Sequence, residues 1–227
     1  LSIIIPTLGR PTLEDALSSI VPQLCDGDEV LVVRDSHEDP DDATRVRERI
    51  EAFGPQVRYL EHDAGRHYYG GVAQSNFGMT QARGDFVMTL GDDDAYVVGG
   101  LAAIRSSLVK GHVLISRLFI PWNGLSLPIA RRIERNQING SSVTIPREHV
   151  APFLLTGDPS VDFDWIEGAI ARSGVDPEWL DQTTVIAFAS RRGGVLANAG
   201  PIVCAGCKRG VLKEDSVDGK CVVCRTP

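Results

Sequence analysis

The run Asp85-Phe86-Val87-Met88-Thr89-Leu90-Gly91-Asp92-Asp93-Asp94-Ala95-Tyr96 passes directly from a buried strand to three adjacent carboxylates. Phe86, Val87, Met88 and Leu90 are apolar, the run is too short for a helix, and Gly91 breaks it. The acids therefore emerge together at the carboxyl end of a strand, where open α/β sheets bind their ligands. Neighbouring carboxylates repel one another, and a divalent cation shared with a ligand phosphate relieves that repulsion. A solvated acidic turn would carry the same three residues, so the flanking sequence has to decide.

On the N-terminal side, strand and helix signals alternate. Residues 2–6 are a short apolar strand. Thr12, with Asp15 three residues on, reads as the cap of a helix whose inner stripe is Leu13, Ala16, Leu17, Ile20 and Val21. Residues 29–34 form a second apolar strand. Asp39-Pro40-Asp41-Asp42 then opens a helix with Val46, Ile50 and Phe53 inward, and Gly54-Pro55 ends it. Residues 57–60 make a third strand, and a glycine-rich start followed by helix-compatible sequence (62–83) leads back to the acidic strand. On the C-terminal side come a helix (100–109), a strand (113–119) and a long connection (121–140) carrying Arg131, Arg132 and Arg135. A strand (142–145), a helix capped by Ser160 and running to about Arg172, and a last strand (184–189) complete the body. This alternation predicts an α/β fold with a doubly wound, mostly parallel sheet.

Size and composition fit that expectation. The 227 residues, 43% apolar and 23% charged, suit one α/β domain with a small appendage. No apolar stretch reaches the roughly 20 residues of a bilayer span, so no membrane span is expected. The opening Leu1-Ser2-Ile3-Ile4-Ile5-Pro6-Thr7 is too short and lacks the basic flank of a signal peptide, so a cytoplasmic protein is expected. A net charge of −7 argues against non-specific binding to nucleic acid or anionic membrane by the molecule as a whole. The last 27 residues differ: five basic against three acidic side chains give +2, leaving −9 on the remainder.

Cysteine usage divides the chain in the same place. Cys25 stands alone, whereas Cys204-Ala-Gly-Cys207 and Cys221-Val-Val-Cys224 form two C-x-x-C pairs separated by thirteen residues. That spacing is a zinc-ribbon signature, with two disulfides as the alternative. A structural Zn2+ would supply the folding energy that so small an apolar segment lacks. The expected division is 1–200 for the α/β domain and 201–227 for the ribbon.

Taken together, IIPTLGRP, EVLVVRDS, GVAQSNFGMTQARGDFVMTLGDDD and FDW resemble the family 2 glycosyltransferases of the GT-A fold, in order and over about residues 1–190. The resemblance implies a Rossmann-like GT-A domain and a nucleoside diphosphate sugar as donor. It places Pro6, Thr7, Gly9 and Arg10 near the base and ribose, and makes Asp35, with Ser36 beside it, the acid that accepts a hydrogen bond from the nucleobase. A carboxylate at that strand end also serves as a helix cap. Gln74, Ser75 and Asn76 stand where the family shows an Arg-Asn pair near the diphosphate. Ser75 replaces the arginine, and Arg66, Arg83, Arg131 and Arg191 are candidates to substitute for it.

By the same resemblance Asp92 and Asp94 form the D-x-D. Asp94 is then the direct ligand of Mn2+ or Mg2+, Asp92 contacts ribose or a metal-bound water, and Asp93 orients the turn. Such a cation neutralises the charge that develops on a departing diphosphate. Asp164, in VDFDWIEG, stands where the family carries its catalytic base, with Asp162 as rival and Trp165 as shelter or stacking surface. Acids in a first helical turn also answer the helix dipole. Many relatives add a late histidine ligand, and none occurs after His149.

These readings give a metal-dependent, inverting glycosyltransferase whose acceptor is open. The basic ribbon makes a hydroxylated base in DNA or RNA one candidate, with Trp122 and Trp165 available to stack a flipped base. A sugar-nucleotide-forming nucleotidyltransferase is an alternative. It wants a glycine-rich basic loop after the first strand, where Thr7-Leu8-Gly9-Arg10 offers one glycine and one arginine. A non-catalytic nucleotide-binding module is the third, and the intact acids count against it.

Overall fold

The computed structural model describes residues 1–36, 40–63, 71–121, 124–135, 137–154 and 161–188, with 40–42 as backbone, and the backbone of 202–203 and 210–211. Cys204, Cys207, Cys221 and Cys224, and also Asp39, Arg66, Trp122, Ser160 and Arg191, lie outside the described residues.

The chain runs β1 (Ser2–Thr7), α1 (Thr12–Ile20), β2 (Glu29–Asp35), α2 (Pro40–Glu51), β3 (Val57–His62), α3 (Val72–Gln81), β4 (Phe86–Thr89), β5 (Asp94–Tyr96), α4 (Gly100–Ser107), β6 (Leu114–Ile120), β7 (Leu125–Leu127), β8 (Val143–Pro146), α5 (Val161–Ser173) and β9 (Glu178–Ala187). The pair β10 (Ile202–Val203) and β11 (Gly210–Val211) follows. The main sheet is ordered β3-β2-β1-β4-β8-β6-β9-β5, with β7 paired to the same edge of β6 as β8. Strands β3, β2, β1 and β4 are all parallel. Beyond β4 the sheet is mixed: β8 is antiparallel to β4 and β6, β6 is parallel to β9, and β5 and β7 are antiparallel to their neighbours. The mostly parallel sheet expected from the sequence is therefore confined to its first half.

Two apolar layers explain why β1 and β2 read as continuous hydrophobic runs. Ile3, Ile5, Val30 and Val32 face α1, α2 and α4, which contribute Leu13, Leu17, Val46, Ile50, Leu101 and Ile104. Ile4, Leu31, Val33 and Val87 face the other way, towards α3 and α5, with Val72, Met79, Trp165 and Ile166. Successive side chains of a strand alternate faces, so both sides of each strand are dry. One local expectation is corrected: Thr12 does not cap α1. Pro11 occupies that position, no side chain caps the helix, and the Thr12 hydroxyl is buried without a partner among the described residues.

The connectivity fixes where a ligand can bind. From β1 the chain moves outward through β2 to β3, then returns through α3 to β4 on the other side of β1. The crevice at such a reversal, outside the carboxyl ends of the strands, is the usual binding position in open α/β sheets. Gly71 brings α3 close enough to wall it. Its φ of +73° favours glycine, and an added Cβ would lie 2.5 Å from the Pro6 Cβ.

Candidate active site

Because β1 and β4 are parallel neighbours, the turns that leave them meet. The Thr7 hydroxyl donates to Asp92 Oδ2 at 2.7 Å, and its oxygen accepts the Gly9 N–H at 2.9 Å. The Arg10 guanidinium donates to Asp92 Oδ1 at 3.3 Å and stands 3.8 Å from Asp93. Asp92 is buried, which raises its pKa, while the Thr7 bond and the Arg10 charge oppose the rise. Asp93 is the more open of the pair. Arg10 is thus the guanidinium that the described structure sets against the acidic turn. Of the arginines named as substitutes, Arg131 pairs with Asp181, and the Arg83 N–H donates to Ser2 and Glu29 at the opposite end of the strands.

Asp94 opens β5 and turns into a cavity of about 180 Å3, whose wall includes Pro6, Ser75, Asn139, Ser141 and Asp162. Asp94 is 8% exposed; it accepts the Ser141 hydroxyl at 3.1 Å and the backbone N–H of Phe188. Burial first, and repulsion from Asp93 second, push its pKa up to about 7. Asp162, in the first turn of α5, accepts the Gly140 N–H at 3.0 Å. Part of that residue reaches solvent, but its carboxyl end is enclosed, and desolvation raises its pKa too. Two carboxylates on separate elements therefore face one small polar space, each pushed towards its neutral form. A larger groove, about 460 Å3, lies on the outer side of α3 against His62, Phe77, Val150 and Pro152. Among the described residues no acid lines it, whereas Asp94 and Asp162 both line the smaller cavity.

The acidic turn suits a hard divalent cation. The partners of Asp94 are a hydroxyl and an amide, and no basic side chain contacts it among the described residues. An enclosed carboxylate beside two others stays ionised at neutral pH most readily with a cation against it. All the donors are oxygens, as Mg2+ and Mn2+ prefer. The described residues form no ready-made cage of three or more such ligands, so ligand oxygens or water would complete the shell.

The remaining sequence-predicted residues divide into those at this edge and those elsewhere. By register Thr7 pairs with Arg34, so Asp35 and Ser36 lie at the same sheet edge as Thr7, with the Ser36 N–H donating to the His62 carbonyl. Ser75 lines the cavity. Gln74 is buried, and its amide nitrogen has no partner among the described residues. Asn76 is committed to the backbone of Phe153, donating to its carbonyl at 3.0 Å and accepting its N–H at 2.7 Å. It fastens a loop to α3.

Asp164, to which the resemblance gives the base, does not line the cavity. Its carboxylate accepts the Arg135 guanidinium at 2.5 Å, and that arginine also lies over the Phe163 ring. The rival Asp162 is the acid that lines it. Trp165 is a core residue rather than a stacking surface: it is 4% exposed, stacks on Phe153, and donates its indole N–H to the Ala151 carbonyl. The helix itself explains the difference in placement. Asp162 falls on one face with the buried Trp165, Ile166 and Ala169, three, four and seven residues on, whereas Asp164 aligns with exposed Glu167. The residues that sequence reasoning missed are Asn139, Gly140 and Ser141. Their signal was the Asn-Gly turn pair in an otherwise uninformative connection.

Residues 2–160 match the family described as Glycosyl transferase family 2. The GalNAc(5)-diNAcBac-PP-undecaprenol beta-1,3-glucosyltransferase of Campylobacter jejuni is 30% identical over 113 residues, which is 49% of this chain and 35% of that protein. In three dimensions, S. aureus TarS 1–349 in complex with UDP-GlcNAc is similar with a TM-score of 0.68 and 18% identity, over 88% of this chain and 62% of that one. The mannosyltransferase PcManGT from Pyrobaculum calidifontis, in complex with GDP-Man and Mn2+, has a TM-score of 0.63 and 21% identity over 85% and 57%. These two likenesses speak to the fold. The chain spans about a third of the length of the curated relative it matches. Among the described residues, no helix is long and apolar enough to cross a membrane.

Proposed function

This chain belongs to glycosyl transferase family 2, and from that premise we propose that its cleft transfers a sugar from a nucleoside diphosphate to an acceptor hydroxyl, with inversion. The observation that carries the proposal is the meeting of Asp94 and Asp162 at one cavity, beside the Thr7–Arg10 turn. Binding sites for ligands of this size are commonly 300–1,000 Å3. A space of about 180 Å3 therefore takes the reacting end of the donor, and the nucleoside lies along the edge formed by Thr7, Gly9, Arg10, Asp35 and Ser36.

The residues divide the work by charge. Mn2+ or Mg2+, held by Asp94 with Asp92 or Asp93 beside it, would supply positive charge to the departing diphosphate. Arg10 adds a fixed charge at the same turn. The acceptor oxygen attacks the sugar carbon as its bond to the diphosphate breaks. Asp162 takes the acceptor's proton, and the electron pair leaves with the diphosphate. No protein atom attacks the sugar, so one displacement inverts the centre. Desolvation raises the pKa of Asp162 towards the working pH, which makes a carboxylate a better base.

Calorimetry with UDP and GDP, with and without Mn2+, tests the donor side. Binding is expected only with the cation. Asp94 has a native pKa of about 7, so proton and cation compete for it, and affinity should tighten as the pH rises through that value. Between pH 6 and pH 8 the ionised fraction climbs about tenfold, and the affinity with it. Binding without the cation, or with no dependence on pH, would contradict this assignment. A panel of sugar nucleotides and acceptors, oligonucleotides with hydroxylated bases included, then identifies the substrates.

The tail carries a separate metal in the same proposal. Backbone pairing sets Ile202 against Val211 and Val203 against Gly210, joining the two ends of the segment that holds Cys204 and Cys207. A strand pair closed across a C-x-x-C suits thiolate ligation of Zn2+, with Cys221 and Cys224 completing four ligands. Elemental analysis should find one zinc per chain, lost in Cys207→Ser; zinc-free protein without free thiols in this tail would mean two disulfides instead.

A further inference from the structure

The catalytic reading leaves unused the turn that lies between its two carboxylates. We propose that Asn139-Gly140-Ser141 is a positioning element that sets both acids at once, Gly140 through its backbone N–H to Asp162 and Ser141 through its hydroxyl to Asp94. The inference rests on the roles assigned above to those two acids. The contacts are 3.0 Å to Asp162 Oδ2 and 3.1 Å to Asp94 Oδ2, from adjacent residues. A group that fixes the base and the donor-side acid through neighbouring atoms holds the distance between them, as a single displacement requires.

Three features make the turn rigid enough for this. The Asn139 side chain accepts the Ser141 N–H at 2.8 Å, and the Ser142 hydroxyl donates to the Asn139 carbonyl at 2.8 Å. The Ser116 hydroxyl, shared at 2.6 Å with Thr184, donates to the Ser142 carbonyl and so ties the turn to β6 and β9. At Gly140 the demand is for space: an added Cβ would meet Thr89 Oγ1 at 3.1 Å and Asp162 Oδ1 at 3.3 Å. Thr89 is anchored in β4, so the carboxylate is the neighbour that must give way. Ser141 and Ser142 are buried, as positioning residues should be.

The test separates donor binding from turnover in the full-length protein. Donor binding is read as Mn2+-dependent affinity for UDP or GDP, whichever wild type binds more tightly. Turnover is read as release of that nucleoside diphosphate from its sugar nucleotide, with water as acceptor. Gly140→Ala is expected to lower kcat at least tenfold and leave affinity within about twofold. Ser141→Ala should weaken affinity about fivefold or more, and Ser141→Thr should restore most of it. In an Asp162→Asn background Gly140→Ala should cost nothing further, whereas Ser141→Ala should keep its whole effect.

Losses in both readouts that follow the fall in melting temperature, or additive losses in the Asp162→Asn background, would overturn the inference and make the turn merely structural. So would variants indistinguishable from wild type. Failure of wild-type protein to bind either nucleotide with Mn2+ would strike at the catalytic reading itself, a distinct result. Should Gly140→Ala not fold, the Ser141 pair decides alone, because loss of affinity without rescue by threonine contradicts the hydroxyl's role.

Discussion

Asp94→Asn is expected to abolish Mn2+-dependent binding of a nucleoside diphosphate, with a loss of at least a hundredfold, and to leave the fold intact. The substitution keeps size and shape and removes only the charge. The two donors that Asp94 satisfies, the Ser141 hydroxyl and the Phe188 N–H, can still be met, because the hydroxyl can turn to accept from the new amide. Stability should even improve at high pH without metal. The native pKa lies above the value of about 4 for an unfolded chain, so the native state binds the proton more tightly. Ionising Asp94 therefore costs the metal-free fold stability as the pH rises from about 4 towards 7, and the variant is spared that cost. Melting at pH 8 should show the variant no less stable than wild type without Mn2+, and only wild type should be stabilised when Mn2+ and nucleotide are added. Retained binding in the variant would remove Asp94 from the donor site.

Asp162→Asn is expected to give the opposite pattern: donor affinity within about twofold of wild type, and turnover lower by roughly 10²–10⁴, the usual contribution of a general base. Asp164→Asn should change turnover by no more than about threefold. Two residues apart on a helix is about 200° of rotation, so only one of these acids can face the cavity. Buried Trp165, Ile166 and Ala169 set the rotation of α5 and turn Asp162 inward. Asp164 is left at the surface with Arg135, an exposed pair that contributes little to stability. Equal kcat for Asp162→Asn and wild type, with a collapse in Asp164→Asn, would return the base to Asp164.

The parallel half of the fold was legible because β1 and β2 are dry on both faces, and a run such as Val30-Leu31-Val32-Val33 admits few other readings. The acidic turn was legible for the same reason, since a buried strand that ends on Gly91 must deliver the next three residues to the sheet edge. In the second half the longer elements α4, β6, β8 and α5 were legible, but the short strands and the start of β9 were not. β5 and β7 have three residues each and no pattern of their own; they exist through pairing with β9 and β6. β9 starts at Glu178, well before the expected 184, because its exposed early residues are held by an irregular register against β6. Which of the two acids of α5 lines the cavity was not legible, because acids in a first helical turn look alike until the inward face is known. Trp165 looked like a platform for the same reason, and Asn76 was claimed by the Phe153 backbone, which no sequence pattern discloses. The Asn139–Ser141 turn was missed, since its contacts are to residues 22 and 47 positions away.

The central claim is that one cavity joins a cation-holding acid to a base. Crystals grown with Mn2+ and the nucleoside diphosphate that binds best, measured at the manganese absorption edge, test it most directly. The expected anomalous peak lies within ligand distance of the Asp94 carboxylate, with diphosphate oxygens on its other side and Asp162 across the remaining space. A peak bound elsewhere, or a nucleotide seated in the groove between Phe77 and Pro152 with Asp94 untouched, would contradict it.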